Sequence, residues 1–186
     1  DSLVGSEMCI RDRPGGKPIL FTAMMLLGGP EHEILTPDPG FPIYQSAINY
    51  SGARSISYGL IEKNGFAFDA EEVLSKITDR TSLVIVNSPA NPTGGVTPRA
   101  ELDKFVKGLE IFPHVTVLSD EIYDRLIFEG EPTSLMTYSS LQDRLIVLNG
   151  WSKTYAMTGW RIGYGVWPKR LVDYADRLAV NFHSCV

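Results

Sequence analysis

The chain has 186 residues, of which 44% are hydrophobic and 21% are charged, and its formal net charge is −5. This composition excludes a uniformly disordered chain, and the negative charge argues against a general nucleic-acid binder. No apolar run approaches the roughly 18 residues that a membrane-spanning helix needs. We therefore expect neither a nucleic acid nor a membrane as a partner. Two cysteines are too few for a disulfide framework, which favours a cytoplasmic location.

The first 13 residues, Asp1–Arg13, show neither a helical nor a strand period, and they lack the apolar segment of a secretory signal. They look like a translated sequencing adapter. We therefore predict a non-native extension over residues 1–13 and one domain over residues 14–186. The chain starts without Met and stops just after a helical pattern with no cap, so we expect the domain to be truncated at both ends.

From Pro14 onward the pattern alternates between helices and strands. Caps and turn-forming stop signals predict helices over Lys17–Leu27, Pro42–Tyr50, Ala70–Ile77 with Asp69 as its cap, Pro98 to about Leu109 with Thr97 as its cap, and Pro168 to about Val180. Short apolar or β-branched runs predict strands over Glu33–Thr36, Arg54–Leu60, Ser82–Asn87, Val115–Leu118, Leu145–Leu148 and Arg161–Val166. This alternation predicts an α/β fold with three α/β/α layers and a mainly parallel sheet.

Ligands of such sheets bind at the carboxyl ends of the strands, where this sequence places its most informative polar residues. These residues are Asn91 after Ser82–Asn87, Asp120 and Tyr123 after Val115–Leu118, and Ser152, Lys153 and Arg161 after Leu145–Leu148. The spacing therefore predicts one site to which three neighbouring strands contribute.

Three motifs in this region resemble those of the class I aminotransferases, which are pyridoxal-phosphate enzymes of fold type I. The motifs are Asn91-Pro92-Thr93-Gly94, Asp120-Glu121-Ile122-Tyr123, and Ser152-Lys153 followed eight residues later by Arg161 in a Gly-Trp-Arg-Ile-Gly frame. The tetrapeptide Asn-Pro-Thr-Gly occurs by chance in about one chain in a thousand, so it is a specific signal. The pattern Asp-x-x-Tyr is a weak signal by itself. The resemblance covers about Pro14 to Val186 and implies an incomplete large domain of that fold.

The resemblance implies a role for each of these residues. Pyridoxal phosphate is an aldehyde on a pyridine ring with a phosphate arm, and it needs an amine, an anion at the ring nitrogen and phosphate donors. Lys153 would form the Schiff base and then move the substrate Cα proton as a general base. Asp120 would pair with the ring nitrogen, and Tyr123 and Asn91 would contact the phenolic oxygen. Arg161, with its forked charged group, and Ser152 would bind the phosphate.

Two further parts of the site follow from the same resemblance. Phe41, in the turn Pro39-Gly40-Phe41-Pro42, would stack on the pyridine ring, while Tyr44 is interpreted as a packing residue. Gly15, Gly16 and Lys17 precede a helix and resemble the glycine-rich phosphate turn of the family. Glycines permit close backbone approach, and a helix N-terminus favours anions.

Simpler interpretations of the same residues stay open at this stage. Strand ends and turns often use these residue types for capping or packing. The alternatives are Lys153 as a surface lysine, Asp120 as a turn cap, Tyr123 and Phe41 as core aromatics, Asn91 as a turn former, and Ser152 as a helix cap. No dinucleotide fingerprint is present, and the three histidines lack metal-ligand spacing, so we expect no metal.

The function that the resemblance implies is transfer of an α-amino group between an amino acid and a 2-oxo acid, as in aspartate aminotransferases. The cycle would be ping-pong, through pyridoxamine phosphate, in a homodimer. A C–S lyase, a cyclopropane-forming synthase and a cofactor-binding sensor domain of a transcription regulator remain alternatives. The arginine that clamps the substrate carboxylate, and the tyrosine that the partner subunit lends, are expected outside these residues. We therefore expect these 186 residues alone to be inactive.

Overall fold

A computed structural model describes residues 8–183 of the chain. Its helices are α1 (Lys17–Leu27), α2 (Pro42–Ser51), α3 (Ala70–Ser75), α4 (Arg99–Gly108), α5 (Trp151–Thr154) and α6 (Lys169–Phe182). Its strands are β1 (Met8–Arg13), β2 (Glu33–Asp38), β3 (Arg54–Gly59), β4 (Thr81–Asn87), β5 (Thr116–Asp120), β6 (Leu145–Gly150) and β7 (Gly163–Pro168). Within residues 8–183, no helix is both long and apolar enough to cross a membrane.

The strands form one sheet in the order β1-β7-β6-β5-β4-β2-β3. All neighbours from β6 to β3 pair in parallel, and β7 is antiparallel to both β6 and β1. Helices cover both faces, because a parallel sheet has two apolar faces that must be buried. The prediction of three layers around a mainly parallel sheet is confirmed.

Period-two alternation along the central strands assigns each side chain to one of the two cores. On one face, α1, α2 and α6 pack against residues that include Ile85, Leu118 and Leu148. On the other, α3 and α4 pack against residues that include Val84 and Val117. Burial of each such side chain contributes roughly 1.5–3 kcal/mol. Two residues past Ile85 and Leu118, the strands end in polar side chains on the α1, α2 and α6 side.

The register of the three central strands brings those ends level with each other. Asn87, the last residue of β4, pairs with Asp120, the last residue of β5, and Asp120 pairs in turn with Leu148 in β6. The loops that follow β4, β5 and β6 therefore start side by side. This alignment is what gathers residues from distant parts of the sequence at one edge of the sheet.

The N-terminal strand β1 contradicts the prediction that Asp1–Arg13 has no strand character. Met8–Arg13 pairs antiparallel with β7, and the side chains of Arg11 and Arg13 bind the carboxylate of Asp176 in α6 at 2.6 and 2.8 Å. Within β1 only Met8 and Arg13, at its two ends, are buried, so its sequence carries no clear period-two pattern. Residues 1–7 lie outside the described residues, and a non-native origin of residues 1–13 stays a prediction.

Most predicted boundaries shift by one or two residues, and two of these shifts have a clear cause. Thr97 does not cap α4, since that helix begins at Arg99 and follows Pro98 without a side-chain cap. Thr97 is buried instead, and its N–H donates to Ser88 Oγ at 2.9 Å. The last strand begins at Gly163 rather than Arg161, because Arg161 adopts a left-handed backbone with φ of 54°. Asp69 does cap α3, accepting hydrogen bonds from the N–H groups of Glu71 and Glu72.

Candidate active site

A cavity of about 370 Å³ opens at the carboxyl ends of β4, β5 and β6. Its volume lies within the usual range for small-molecule sites. Nine of the ten predicted site residues line it, namely Gly16, Lys17, Phe41, Asn91, Asp120, Tyr123, Ser152, Lys153 and Arg161. The tenth, Gly15, lies against Arg161. The structure thus brings together residues that are up to 146 positions apart in the sequence (Gly15 to Arg161).

Asp120 forms the buried base of the cavity. Its side chain accepts a hydrogen bond from the Tyr44 hydroxyl at 2.7 Å on one oxygen and from the N–H of Ile122 at 3.3 Å on the other. Burial raises the pKa of Asp120 to about 6, because a charged carboxylate loses its hydration, and these two hydrogen bonds only partly oppose the shift. Both partners are neutral, so the carboxylate is an anion that a cation would stabilise.

The middle of the cavity holds an amine, a phenol and an amide. Lys153, in α5, has its Nζ 5.6 Å from the centroid of the Tyr123 ring, within the range of a cation–π contact. The Asn91 amide nitrogen lies 3.5 Å from the Tyr123 hydroxyl. Each of the three side chains comes from a different strand-end loop. An amine beside two hydrogen-bonding groups is suited to reaction with a carbonyl compound.

Gly150 controls how closely the Lys153 segment approaches the next strand. A Cβ at this position would lie 2.9 Å from the carbonyl oxygen of Ile162 and 3.0 Å from the Cα of Gly163, which is closer than real Cβ atoms pack. Gly150 is also the N-cap of α5, so the interpretation of Ser152 as the cap of that helix is wrong. Ser152 lies within the short helix and lines the cavity.

The mouth of the cavity is cationic and exposed. Arg161 adopts its left-handed backbone after the 3₁₀ turn Thr158–Trp160, and its guanidinium donates to the Thr158 carbonyl at 2.8 Å. Gly15 has a φ of 87°, and a Cβ there would overlap the Arg161 guanidinium. Gly16 is the N-cap of α1, which carries no acidic residue in its first turn. A helix N-terminus beside Arg161 favours an anion such as phosphate.

Phe41 lies at the entrance to α2, as its N-cap residue, and is half-buried in the wall of the cavity. Its ring packs edge-on against Tyr44, with centroids 5.7 Å apart. This position agrees with the predicted cavity-facing role better than with a core aromatic. The interpretation of Tyr44 as a packing residue is incomplete, because its ring is buried but its hydroxyl binds Asp120. A buried tyrosine hydroxyl needs a partner, which is the signal that sequence reasoning could have used.

Sequence reasoning also missed Asn87. It was treated only as the last residue of a buried strand, yet its side chain lines the cavity and hydrogen-bonds to Asp120 and Asn91. The available signal was a single amide at the end of the apolar run Leu83–Val86. A buried amide without partners is costly, so a polar residue in that place predicts a network.

Comparisons with known proteins agree with this geometry. The model of the class I and II aminotransferase family matches residues 13–186. An aspartate aminotransferase of Sulfolobus acidocaldarius is 33% identical over 174 residues, which cover 92% of this chain and 43% of that protein. An arginine–pyruvate transaminase of Pseudomonas aeruginosa is 35% identical over 166 residues, which cover 89% of this chain and 42% of that protein.

A solved structure gives the same result for the fold. The crystal structure of an aspartate aminotransferase from Rhizobium meliloti matches with a TM-score of 0.89 and 33% identity, over 95% of this chain and 44% of that chain. This chain therefore spans less than half the length of the relatives that it matches. The predicted fold class, the α/β/α architecture of the pyridoxal-phosphate fold type I large domain, is confirmed. The chain belongs to the class I and II aminotransferase family.

Proposed function

We propose that this protein uses pyridoxal phosphate to transfer an α-amino group between an amino acid and a 2-oxo acid. The observation that carries the proposal is the convergence of Lys153, Asp120 and Arg161 on one cavity. The family membership and the aspartate aminotransferase relative at 33% identity support it. In their absence the same cavity would indicate only a site for a small anionic carbonyl compound.

The residues that line the cavity fit this cofactor, because each of its polar parts has a matching group. The buried Asp120 carboxylate, whose own partners are neutral, suits a protonated ring nitrogen. Lys153 supplies the amine for the aldehyde, and Arg161 with the N-terminus of α1 supplies positive charge for the phosphate. When bound, the pyridoxal ring supplies an electron acceptor for the charge that is left when an amino acid loses its Cα proton.

Asp120 keeps a cation at the base of the cavity. Its pKa is raised to about 6 without a cationic partner, and a positive charge next to it would lower that pKa again. Binding of a protonated ring nitrogen is therefore favoured as pH rises above about 6, where the carboxylate is ionised. The cavity base in this way holds the proton on the ring nitrogen, which maintains the ring as an electron acceptor.

Lys153 and its neighbours handle the transferred proton. The Nζ of Lys153 would accept the Cα proton of the amino acid and hold it for return to the bound reactants. Tyr123 and Asn91, whose hydroxyl and amide lie 3.5 Å apart, would supply hydrogen bonds to the phenolic oxygen. Phe41 lines the cavity and would exclude water from one side of the cofactor.

The identity of the amino acid stays open within its class. The relatives include an aspartate aminotransferase and an arginine–pyruvate transaminase, so an acidic and a basic amino acid are both reasonable donors. A C–S lyase, a cyclopropane-forming synthase or a sensor domain would use the same cavity residues. The names of the relatives favour transamination over these three.

We also propose a cytoplasmic location, which the low cysteine content supports.

We further propose that the active protein is a homodimer. Two large aromatic side chains next to the Lys153 segment, Tyr155 and Trp160, are 63% and 70% exposed. Exposed aromatics of this size are typical of surfaces that another protein covers. Light scattering after size-exclusion chromatography tests this, and a monomer at all protein concentrations would contradict it.

The decisive experiment concerns the bound cofactor. The protein, expressed in its complete reading frame, is loaded with pyridoxal phosphate and mixed with single amino acids, then with 2-oxoglutarate. We expect the cofactor to convert to pyridoxamine phosphate with at least one amino acid and to return with the 2-oxo acid. If no amino acid converts the cofactor, transamination is refuted. Release of a sulfur compound would then favour a C–S lyase, and a change in DNA binding would favour a transcription regulator.

Replacement of Lys153 tests the assignment of the anchoring amine. We expect Lys153→Ala to abolish the absorbance at roughly 400 nm that a lysine-linked pyridoxal cofactor shows. Lys107→Ala, which removes an exposed lysine of α4, is the matched control and should leave the band unchanged. Survival of the band in Lys153→Ala would assign the anchor to another residue.

A further inference from the structure

We infer that Asn87 is a positioning residue, which fixes Asn91 and Asp120 relative to each other through its buried amide. The inference rests on the proposed function, because Asn91 and Asp120 are two of the residues that would hold the cofactor. Asn87 itself is assigned no contact with the cofactor. It acts through its two neighbours, from a position between the β4 and β5 loops.

The contacts of Asn87 use both ends of its amide. Its Nδ2 donates to the carbonyl oxygens of Asp120 at 3.0 Å and of Pro89 at 3.2 Å, and its Oδ1 accepts from the N–H of Asn91 at 2.8 Å. The side chain is 6% exposed. Both amide hydrogens and the carbonyl oxygen are therefore satisfied within the protein, as a buried amide requires.

These bonds extend the alignment of the strands beyond the end of the sheet. Backbone pairing of β4 with β5 ends at Asn87 and Asp120, and beyond this point the chain leaves the sheet. The Asn87 side chain bonds the carbonyl of Asp120 on one side and the N–H of Asn91 on the other. It thus ties a loop residue to the last residue of the neighbouring strand.

The loop that carries Asn91 is itself closed. Two hydrogen bonds join its ends, from the N–H of Ala90 to the carbonyl of Gly95 at 2.9 Å and from the N–H of Gly94 to the carbonyl of Ala90 at 2.8 Å. A closed loop moves as a unit, so one anchor is enough to set its position. Asn87 supplies that anchor next to Asp120, and the Asn91 amide then faces the Tyr123 hydroxyl.

A second buried asparagine shows a similar arrangement two strands away, on the other side of β5. Asn149 in β6 is 7% exposed, donates to Asp124 Oδ2 at 3.0 Å and accepts from the N–H of Gly150 at 2.7 Å. It thereby ties the Lys153 segment to the residue that follows Tyr123. The recurrence of a bridging amide at the ends of β4 and β6, on either side of β5, supports a positioning role.

The test is a double-mutant cycle between Asn87 and Asn91 in the cofactor-loaded protein. The two readouts are the cofactor Kd and the pH midpoint of the absorbance band near roughly 400 nm. Asn91→Ala removes a donor to the phenolic oxygen and should raise the midpoint. Asn87→Ala should also raise the midpoint and weaken cofactor binding about tenfold, since it removes the partner of three backbone groups, the carbonyls of Asp120 and Pro89 and the N–H of Asn91.

If Asn87 acts through Asn91, the midpoint of the double variant should equal that of Asn91→Ala alone. Additive midpoint shifts would overturn the inference. Asn87→Asp keeps the acceptor for the Asn91 N–H, so its midpoint should stay closer to that of the unmodified protein. If Asn87→Ala does not fold, Asn87→Asp replaces it in the cycle. A midpoint of Asn87→Asp that is shifted as far as that of Asn91→Ala would then overturn the inference.

Val73→Ala separates positioning from loss of stability. Val73 is buried in α3, outside the cavity, and its truncation should lower the free energy of unfolding without moving the midpoint. Asn87 variants that behave like Val73→Ala would also overturn the inference. Failure of the proposed function looks different, because the unmodified protein would then convert its cofactor with no amino acid, whether or not the midpoint moves in the variants.

Discussion

The two ends of the cavity are built from different parts of the fold. At the base, Asp120 comes from the end of a central strand and is 4% exposed, with hydrogen bonds to fixed neighbours. At the mouth, Arg161 follows a 3₁₀ turn and is exposed, and within residues 8–183 its guanidinium bonds only to a carbonyl of that turn. The base is therefore set by the sheet, whereas the mouth depends on a local loop.

This difference has an electrostatic consequence. Burial changes the pKa of Asp120, because the surroundings of a buried carboxylate solvate charge poorly. A charge at the exposed mouth is screened by water and salt, so its contribution is smaller and depends on ionic strength. We expect the base to control the protonation chemistry of the site and the mouth to control its affinity for an anion.

The largest expected effect concerns the base and is a dependence of stability on pH. The ordinary pKa of an aspartate is 3.8, and burial in the folded protein raises the pKa of Asp120 to about 6. The folded protein thus binds more protons than the unfolded chain, and stability falls as pH rises through this window. The loss amounts to about 2 kcal/mol between pH 4 and pH 7 in the cofactor-free protein. Chemical denaturation at several pH values measures it.

Asp120→Asn isolates this contribution, because asparagine keeps an acceptor for Tyr44 but does not ionise. The difference in unfolding free energy between the variant and the unmodified protein should grow in favour of the variant as pH rises. Asp173→Asn, an exposed carboxylate of α6, is the control and should show little change. A difference that stays flat for Asp120→Asn would show that the buried carboxylate is better solvated than its position indicates.

Much of the base and of the middle of the cavity could be predicted from the sequence, since the motif residues lie at or shortly after the ends of apolar strands. Asn91, Asp120 and Lys153 all lie where the alternation of strands and helices places them. Tyr44 and Asn87 could not be found in this way, because their roles consist of contacts across elements. A buried tyrosine hydroxyl and a strand-end asparagine signal that a partner exists, but no local pattern indicates which residue that partner is.

The sequence predicts which residue lies at the mouth but not its backbone conformation. The Gly-Trp-Arg-Ile-Gly frame identified Arg161, but the sequence placed it in a strand, whereas its left-handed backbone ends the preceding turn. Such a conformation is rare for a residue with a side chain and is imposed by surrounding structure. Strand β1 was missed for a related reason, since its pairing with β7 joins residues about 150 positions apart in the chain.

A smaller effect is expected at the mouth. Arg161→Lys keeps the charge but loses the forked group that matches a phosphate, so the cofactor Kd should rise about tenfold. The loss should shrink at high salt, because screening weakens the remaining charge interaction in both proteins. Isothermal titration at two ionic strengths measures this, with Arg99→Lys on the exposed face of α4 as the control. An unchanged Kd would place the phosphate away from Arg161.

The smallest expected effect returns to the base and concerns Tyr44. Tyr44→Phe removes the 2.7 Å hydrogen bond to Asp120 and should raise the pKa of that carboxyl further, by about one unit. The pH at which cofactor binding becomes favourable should rise with it. Tyr58→Phe is a matched control, because Tyr58 is also buried and its hydroxyl donates to the carbonyl of Ile85 at 2.6 Å, away from the carboxylate. Both variants should lose stability, but only Tyr44→Phe should shift the binding profile. Equal profiles for the two would mean that Tyr44 supports the base by packing alone.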